Sequence, residues 1–407
     1  MKIKKIISGI MAVLVLFGAV TVFSVNPVCD YSITASAIQY GTYENLTYRK
    51  YSDYIEISDC KKSAEEIIIP AEIKGLPVTS IGDGAFATCS GLTSITLPDN
   101  VTNIGRSAFS YCGSLTSITL PDNVINIGRS AFEGCSGLTE ITIPENVISI
   151  GVFAFDSCFG LISITIPESV TSIGDSAFNF TPWLEEKRKE NPLVIVNNIL
   201  IDGKTYDGDV VIPDDVTSIG DSAFFNCSGL TSVTLPDSVT SIGYDAFFEC
   251  SSLTSIIIPD GVTSIGNSAF RGCSCLKEIT ILNPDCEIYD SIDTVCNGFD
   301  DDRNGYFNGT ICGYENSTAQ AYAEKYGYNF EAIKENEKPE TLLGDANCDG
   351  EISVADATLI LQYCGNKDKY NLTEQGKINA DIDGTAGISA VDALMIQQYD
   401  AGIINKF

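Results

Sequence analysis

Residues 92–112 read LTSITLPDNVTNIGRSAFSYC, and the fold follows from how this stretch distributes its apolar residues. Leu92, Ile95 and Leu97 are apolar, Ser94 and Thr96 alternate between them, and Pro98, Asp99 and Asn100 turn the chain. One short strand and a corner are predicted. Val101 and Ile104 make a second apolar pair, Gly105 is expected to permit a tight bend, and Ala108, Phe109 and Cys112 close the unit on its inner side. One such unit cannot bury its own apolar set. Neighbours stacked about 4.8 Å apart would make the core continuous.

The phrase IGxxAF starts at Ile81, Ile104, Ile127, Ile150, Ile173, Ile219, Ile242 and Ile265, with IGVFAF and IGYDAF as variants. Successive starts differ by 23 residues except for one gap of 46, so one repeat is degenerate while the frame survives. That period calls for a solenoid. Together with LTSITLP and CSGLTSIT, these motifs resemble the BspA-like leucine-rich repeats of bacterial surface proteins over roughly residues 60–330. The resemblance implies a mostly β solenoid of 23-residue coils, with residues 38–80 as its N-terminal cap and 81–330 as its body. TICGYENSTAQAYAEKYGYNF, residues 310–330, looks like the closing element. Members of that family are taken to bind proteins, host surfaces or polysaccharide, which implies no catalysis.

The outward strand positions form a mostly uncharged hydroxyl band: Ser94 and Thr96, Ser117 and Thr119, Glu140 and Thr142, Ser163 and Thr165, Asp209 and Val211, Ser232 and Thr234, Ser255 and Ile257. The band is a candidate ligand face, because stacked coils would present it as one surface. Threonine on a solvated strand explains it equally well. Asp99, Asp122, Glu145, Glu168, Asp214, Asp237 and Asp260 each follow a proline, and this periodicity marks them as corner residues and not as a catalytic pair. Residues 181–213 carry the sole tryptophan, Trp183, and a charged, helix-compatible run. They read either as a coil packing its tryptophan on the solenoid or as a ligand-contact bulge.

The chain has no histidine, which removes imidazole bases, Ser/His and Cys/His nucleophile pairs and histidine zinc ligands. Its formal charge of −30 repels phosphates and anionic lipid, arguing against nucleic-acid or membrane-surface partners, and suits cation binding. MKIKK, a long apolar run and the small residues Ala35, Ser36 and Ala37 make residues 1–37 an expected secretory signal; a retained membrane anchor is the alternative. Seven of the 15 cysteines recur at one slot of the repeat: Cys89, Cys112, Cys135, Cys158, Cys227, Cys250 and Cys273. They read as small buried hydrophobes ahead of a disulfide ladder.

GDANCDGEISVAD, residues 344–356, does not belong to the repeat. Counting Asp345 as position 1 puts Asn347 at 3, Asp349 at 5, Gly350 at 6, Glu351 at 7, Ser353 at 9 and Asp356 at 12. Oxygen ligands at alternating positions, a glycine at the reversal and a closing acid form a calcium-loop pattern. It recurs 36 residues on as Asp381, Asp383, Thr385, Gly387 at position 7, Ser389 and Asp392, and each loop runs into an apolar helix, ADATLILQYC and VDALMIQQYD. Residues 299–311 offer Asp300, Asp302, Asn304 and Gly305 at similar spacing, but Ile311 at position 12 makes a polar turn the better reading.

Two duplicated loop-helix units over residues 342–407, after a charged linker at 331–341, resemble a type I dockerin. The resemblance implies calcium at two sites, a scaffoldin cohesin as partner, and partner choice at positions 10 and 11. Those fall on Val354 and Ala355 and on Ala390 and Val391, and their similarity implies docking by either helix. The second loop departs from the pattern, with Thr385 at position 5 and Ala386 at position 6, so its site is expected to bind calcium more weakly. The whole reads as a secreted, non-enzymatic cellulosome component whose solenoid takes a protein or plant polysaccharide ligand. A part in a glycoside-hydrolase system, or a free adhesin or protease regulator, stays open.

Overall fold

The structure is a computed structural model that describes residues 12–16, 19–23, 38–300, 305–333, 344, 346, 352–365, 372, 377, 380–382, 388–401 and 403. The chain divides into two compact units, 1–331 and 332–407. Within the expected signal, residues 12–16 and 19–23 pair as an antiparallel ribbon. The rest of that segment lies outside the described residues.

In the first unit, three antiparallel strands, Gln39–Tyr43, Leu46–Lys50 and Ile55–Cys60, form the cap and pass into the parallel stack through Leu76–Ile81. Each later coil contributes a short strand ending at the isoleucine of IGxxAF. These strands pair in parallel and in register: Ile81 with Ile104, then Ile127, Ile150 and Ile173. The longer-looking strand around Ser94–Thr96 is discontinuous. It pairs as 66–68 with 94–96, 140–142 with 163–165, and 208–211 with 230–234, while residues 117–119 carry no strand at all. The even strand expected from LTSITLP is therefore broken, and the two-residue segment before Gly105 makes the continuous sheet.

The phenylalanine of each IGxxAF is buried, and the rings stack down the axis: Phe86, Phe109, Phe132 and Phe155 at centroid spacings of 5.1–5.3 Å. The cysteine slot is filled by free, buried thiols. These do more than fill space. The Cys112, Cys135 and Cys158 thiols each donate at 3.1 Å to the backbone carbonyl of the preceding coil's phenylalanine, Phe86, Phe109 and Phe132. Each of those carbonyls already accepts from the cysteine N–H of its own turn, and the thiol of the next coil takes its second lone pair, tying coil to coil.

The glycine of the repeat has a different role from the one expected. Left-handed backbone falls two residues later, at Ser107 (φ 52°), Ser130 (φ 54°) and their equivalents. Gly105 is required by close approach, since a Cβ there would lie 2.8 Å from the backbone nitrogen of Asp83 in the coil before.

At the degenerate repeat the short-strand sheet ends at Ser172–Ile173 and resumes with Ile199–Asp202, and the buried apolar residues fall into two clusters there. Helix α1, Pro182–Glu190, fills the gap. Thr181 caps it, its Oγ1 accepting from the Leu184 N–H at 3.1 Å, and proline occupies the first turn, where no N–H is needed. Trp183 packs edge-on against Phe178 at 4.9 Å and closes the ring stack. Arg188 forks onto the buried Asp202 carboxylate at 2.9 and 2.8 Å. Of the two readings of residues 181–213, the coil that packs its tryptophan inward describes the structure. At the far end, helix α2, Thr318–Tyr326, is capped by Ser317 and ends in left-handed Gly327, and Asn329–Ala332 adds a last strand.

Candidate functional site

In the second unit, helices α3, Val354–Gly365, and α4, Ala390–Asp400, pack through Ala357, Ile360, Ala393 and Ile396. Ile352 and Ile388, both at position 8, pack against this small core. The start of each helix is built alike. The backbone N–H of Ser353 donates to Asp356 Oδ2 at 2.8 Å and its hydroxyl at 3.3 Å. Ser389 does the same to Asp392 Oδ2 at 2.8 and 3.0 Å. In turn the serine hydroxyls accept from the N–H of Ala355 and Val391, at 3.1 Å each. The serine at position 9 and the acid at 12 thus form reciprocal helix caps.

Both closing carboxylates, Asp356 and Asp392, are fully buried. The second Asp392 oxygen accepts from the Ile382 N–H at 2.9 Å, which ties the start of its loop, beside Asp381, to the end. Ionised carboxylates out of water need donors and positive charge. Buried carboxyls and hydroxyls in an all-oxygen set fit a hard cation such as calcium. Of the expected ligands, Ser353, Asp356, Asp381, Ser389 and Asp392 fall among the described residues. Asp345, Asn347, Asp349, Glu351, Asp383, Thr385, Ala386 and Gly387 lie outside the described residues, as do Asp302 and Asn304 of the 299–311 turn.

Ala355, Ala390 and Val391 are exposed at the helix starts; Val354 opens α3, and its side chain is not among those described. Leu394, one turn after Ala390, is 51% exposed and continues the apolar strip of α4. Its place on α3 is taken by exposed Thr358, so the two helices are alike at positions 10 and 11 and differ at the next turn. The i, i+4 spacing of Ala390 and Leu394 could have revealed this from the sequence.

On the solenoid, the expected band does face outward. Ser94, Thr96, Ser117, Thr119, Thr142, Ser163, Thr165 and Ser232 are exposed, and Thr234 is half-buried. A shallow groove of about 420 Å³ crosses it over Ser117, Thr119, Glu140, Thr142 and Thr165. The corner acids are exposed and repeat from coil to coil; neighbouring corners are linked by Asn123 Nδ2 donating to Asp99 O and Asn146 Nδ2 to Asp122 O, both at 2.8 Å. Among the described residues no group of three His, Cys, Asp or Glu side chains is arranged to hold a metal, and no helix is long and apolar enough to cross a membrane.

The family described as BspA type leucine rich repeat region matches residues 58–185 and 206–294 in six copies. The chain belongs to that family. Outside the BspA-type repeats, the family described as dockerin type I domain matches residues 343–399, so the second unit is a dockerin. Among curated proteins, a xylanase/beta-glucanase of Ruminococcus flavefaciens is 41% identical over 68 residues, which is 14% of this chain and 8% of that protein. Among solved structures, the T. pallidum leucine-rich repeat protein is 28% identical, with a TM-score of 0.37, covering 53% of this chain and 91% of that one. A leucine-rich cell surface protein from Faecalibacterium prausnitzii is 26% identical, with a TM-score of 0.30, covering 63% and 96%. The BspA-type chain is thus a mostly β solenoid of 23-residue coils followed by a small helical dockerin.

Proposed function

We propose that this protein is a secreted, non-catalytic component of a cellulosome-type assembly. Residues 1–37 direct export, 38–80 cap the solenoid, 81–330 form it, 331–341 link, and 342–407 dock. Calcium supplies charge compensation for the buried Asp356 and Asp392 carboxyls, and that compensation is folding energy for the unit. The chain's own part is to close each loop: serine and aspartate cap the helix, the caps fix the loop end, and the exposed helix starts meet a scaffoldin cohesin. Val354, Ala355, Ala390 and Val391 make that contact, with Leu394 beside the second pair. The first calcium site is the tighter one.

The observation that carries this reading is the doubled cap, in which two loops 36 residues apart bury the same acid behind the same serine. The xylanase relative matches over 8% of its own length, so its activity is not carried over to this chain. The solenoid then presents a face to a protein or polysaccharide, with Ser94, Ser117, Thr119 and their neighbours as one candidate surface.

The test is calorimetry of the full chain against a recombinant scaffoldin cohesin with calcium and with excess chelator. Calcium removal is expected to lower cohesin affinity at least about 100-fold, because stripping a structural metal removes the folding energy of the unit that docks. Equal affinity in chelator refutes the proposal.

A further inference from the structure

The solenoid has a second, less regular surface on the turn side of its coils. Five coils place serine at the left-handed position of IGxxAF: Ser107, Ser130, Ser176, Ser222 and Ser268. Two place something else there, Phe153 (φ 58°) in IGVFAF and Asp245 (φ 52°) in IGYDAF, and for the phenylalanine this is a conformation that bulky side chains seldom adopt. They lie on opposite sides of the degenerate repeat, 92 residues apart in sequence. Both nonetheless line one groove of about 650 Å³ that runs across the intervening coils, with Phe225, Tyr244, Asp175 and Asp221. Arg129, Lys204 and Asn179 complete its polar wall. Departures from a repeat that converge on a single cavity are not explained by stacking, which needs only the shared positions.

Phe225 is 38% exposed and rests one face on Phe248 at 4.8 Å, and Tyr244 is 46% exposed. Asp245 is only 8% exposed, and its Oδ1 has no hydrogen-bond partner. A buried acceptor left in this state calls for a donor. The torsion that turns a carboxyl is soft and two-fold, so either oxygen can be presented to the cavity. Burial, with Asp175 and Asp221 nearby, pushes the Asp245 carboxyl up to about 6. A metal ion would explain clustered acids, but these are not arranged to hold one. Carboxylates as acceptors, arginine, lysine and asparagine as donors, and exposed ring faces together suit a neutral ligand with many hydroxyls and apolar C–H faces.

We propose that this groove is a binding site for a neutral oligosaccharide, with Phe225 and Tyr244 offering ring faces and Asp245 and Asp221 accepting sugar hydroxyls. The inference rests on the reading of the solenoid as the ligand-carrying module, and it moves the ligand from the hydroxyl band to the turn face. The experiment is calorimetric titration of the full chain in calcium with xylohexaose and with cellohexaose, and with pentalysine as a cationic probe. At least one hexasaccharide is expected to bind at pH 7.5. Tyr244→Ala and Asp245→Asn should each weaken it about tenfold, as loss of a ring contact or a charge-assisted hydrogen bond does. Asp99→Asn, an equal charge change at a corner, should leave binding unchanged. Circular dichroism and retained cohesin binding show that each variant is folded.

Three results overturn the proposal: neither sugar binds while cohesin capture persists, in which case the assembly reading stands alone; sugar binding is lost on Thr119→Ala and kept in Tyr244→Ala and Asp245→Asn, which returns the ligand to the band; or pentalysine binds through Asp245 while the sugars do not, which makes this a site for a basic peptide.

Discussion

Replacing Gly128 with alanine separates two physical accounts of the repeat glycine. A Cβ at Gly128 would lie 2.7 Å from the carbonyl carbon of Gly105 and 2.8 Å from Arg106 N, all backbone of the preceding coil. Ordinary contact begins near 3.4 Å, so the coils must part by about 0.7 Å. The coil cannot give freely there: the Gly128 N–H donates to Ile104 O at 2.8 Å, and Ile127 is in ladder register with Ile104. Overpacking of this kind costs about 1–3 kcal/mol. The opposing term, the entropy alanine removes from the unfolded chain, is about 0.4–1 kcal/mol. The variant is therefore expected to lose about 1–2 kcal/mol, read as a lower urea midpoint by far-ultraviolet circular dichroism in calcium. Ser130→Gly, at the φ of 54°, is the companion. There, relief of about 1 kcal/mol of left-handed strain is offset by a similar entropy loss, and little change is expected. If Gly128→Ala is as stable as the parent with an unchanged urea slope, the close-approach argument is wrong.

Two other outcomes follow from the packing. Arg188→Ala leaves the Asp202 carboxylate buried without its fork, and about 3–5 kcal/mol of stability should go with it; Asp202→Asn added to that variant should restore much of the loss, and a purely additive double variant would show that the pair is not coupled. Burial pushes the Cys112 and Cys158 thiols up to about 12, so they stay protonated at pH 8 and iodoacetamide should modify exposed Cys275 well before either; peptide mass spectrometry showing Cys158 labelled as fast as Cys275 contradicts the buried ladder.

Much of this protein is legible in one dimension. A stacked coil repeats its environment every 23 residues, so the buried identities of Ile104, Phe109 and Cys112 show up as a period along the chain. The dockerin is legible for a related reason: a cation loop sets its ligands by local spacing, and Ser353 with Asp356 sits within one helical turn. What the period hides is what differs between coils. The role of Gly105 escapes a local reading because the approach of the coil before it is a distance across the stack, which no local pattern encodes. The broken strand face and the thiol-to-carbonyl bonds are likewise set by neighbours distant in sequence. Phe153 and Asp245 show the limit most plainly. In the sequence they are two unrelated lapses in a motif, and only the stacking of coils around the degenerate repeat brings them to the wall of one cavity.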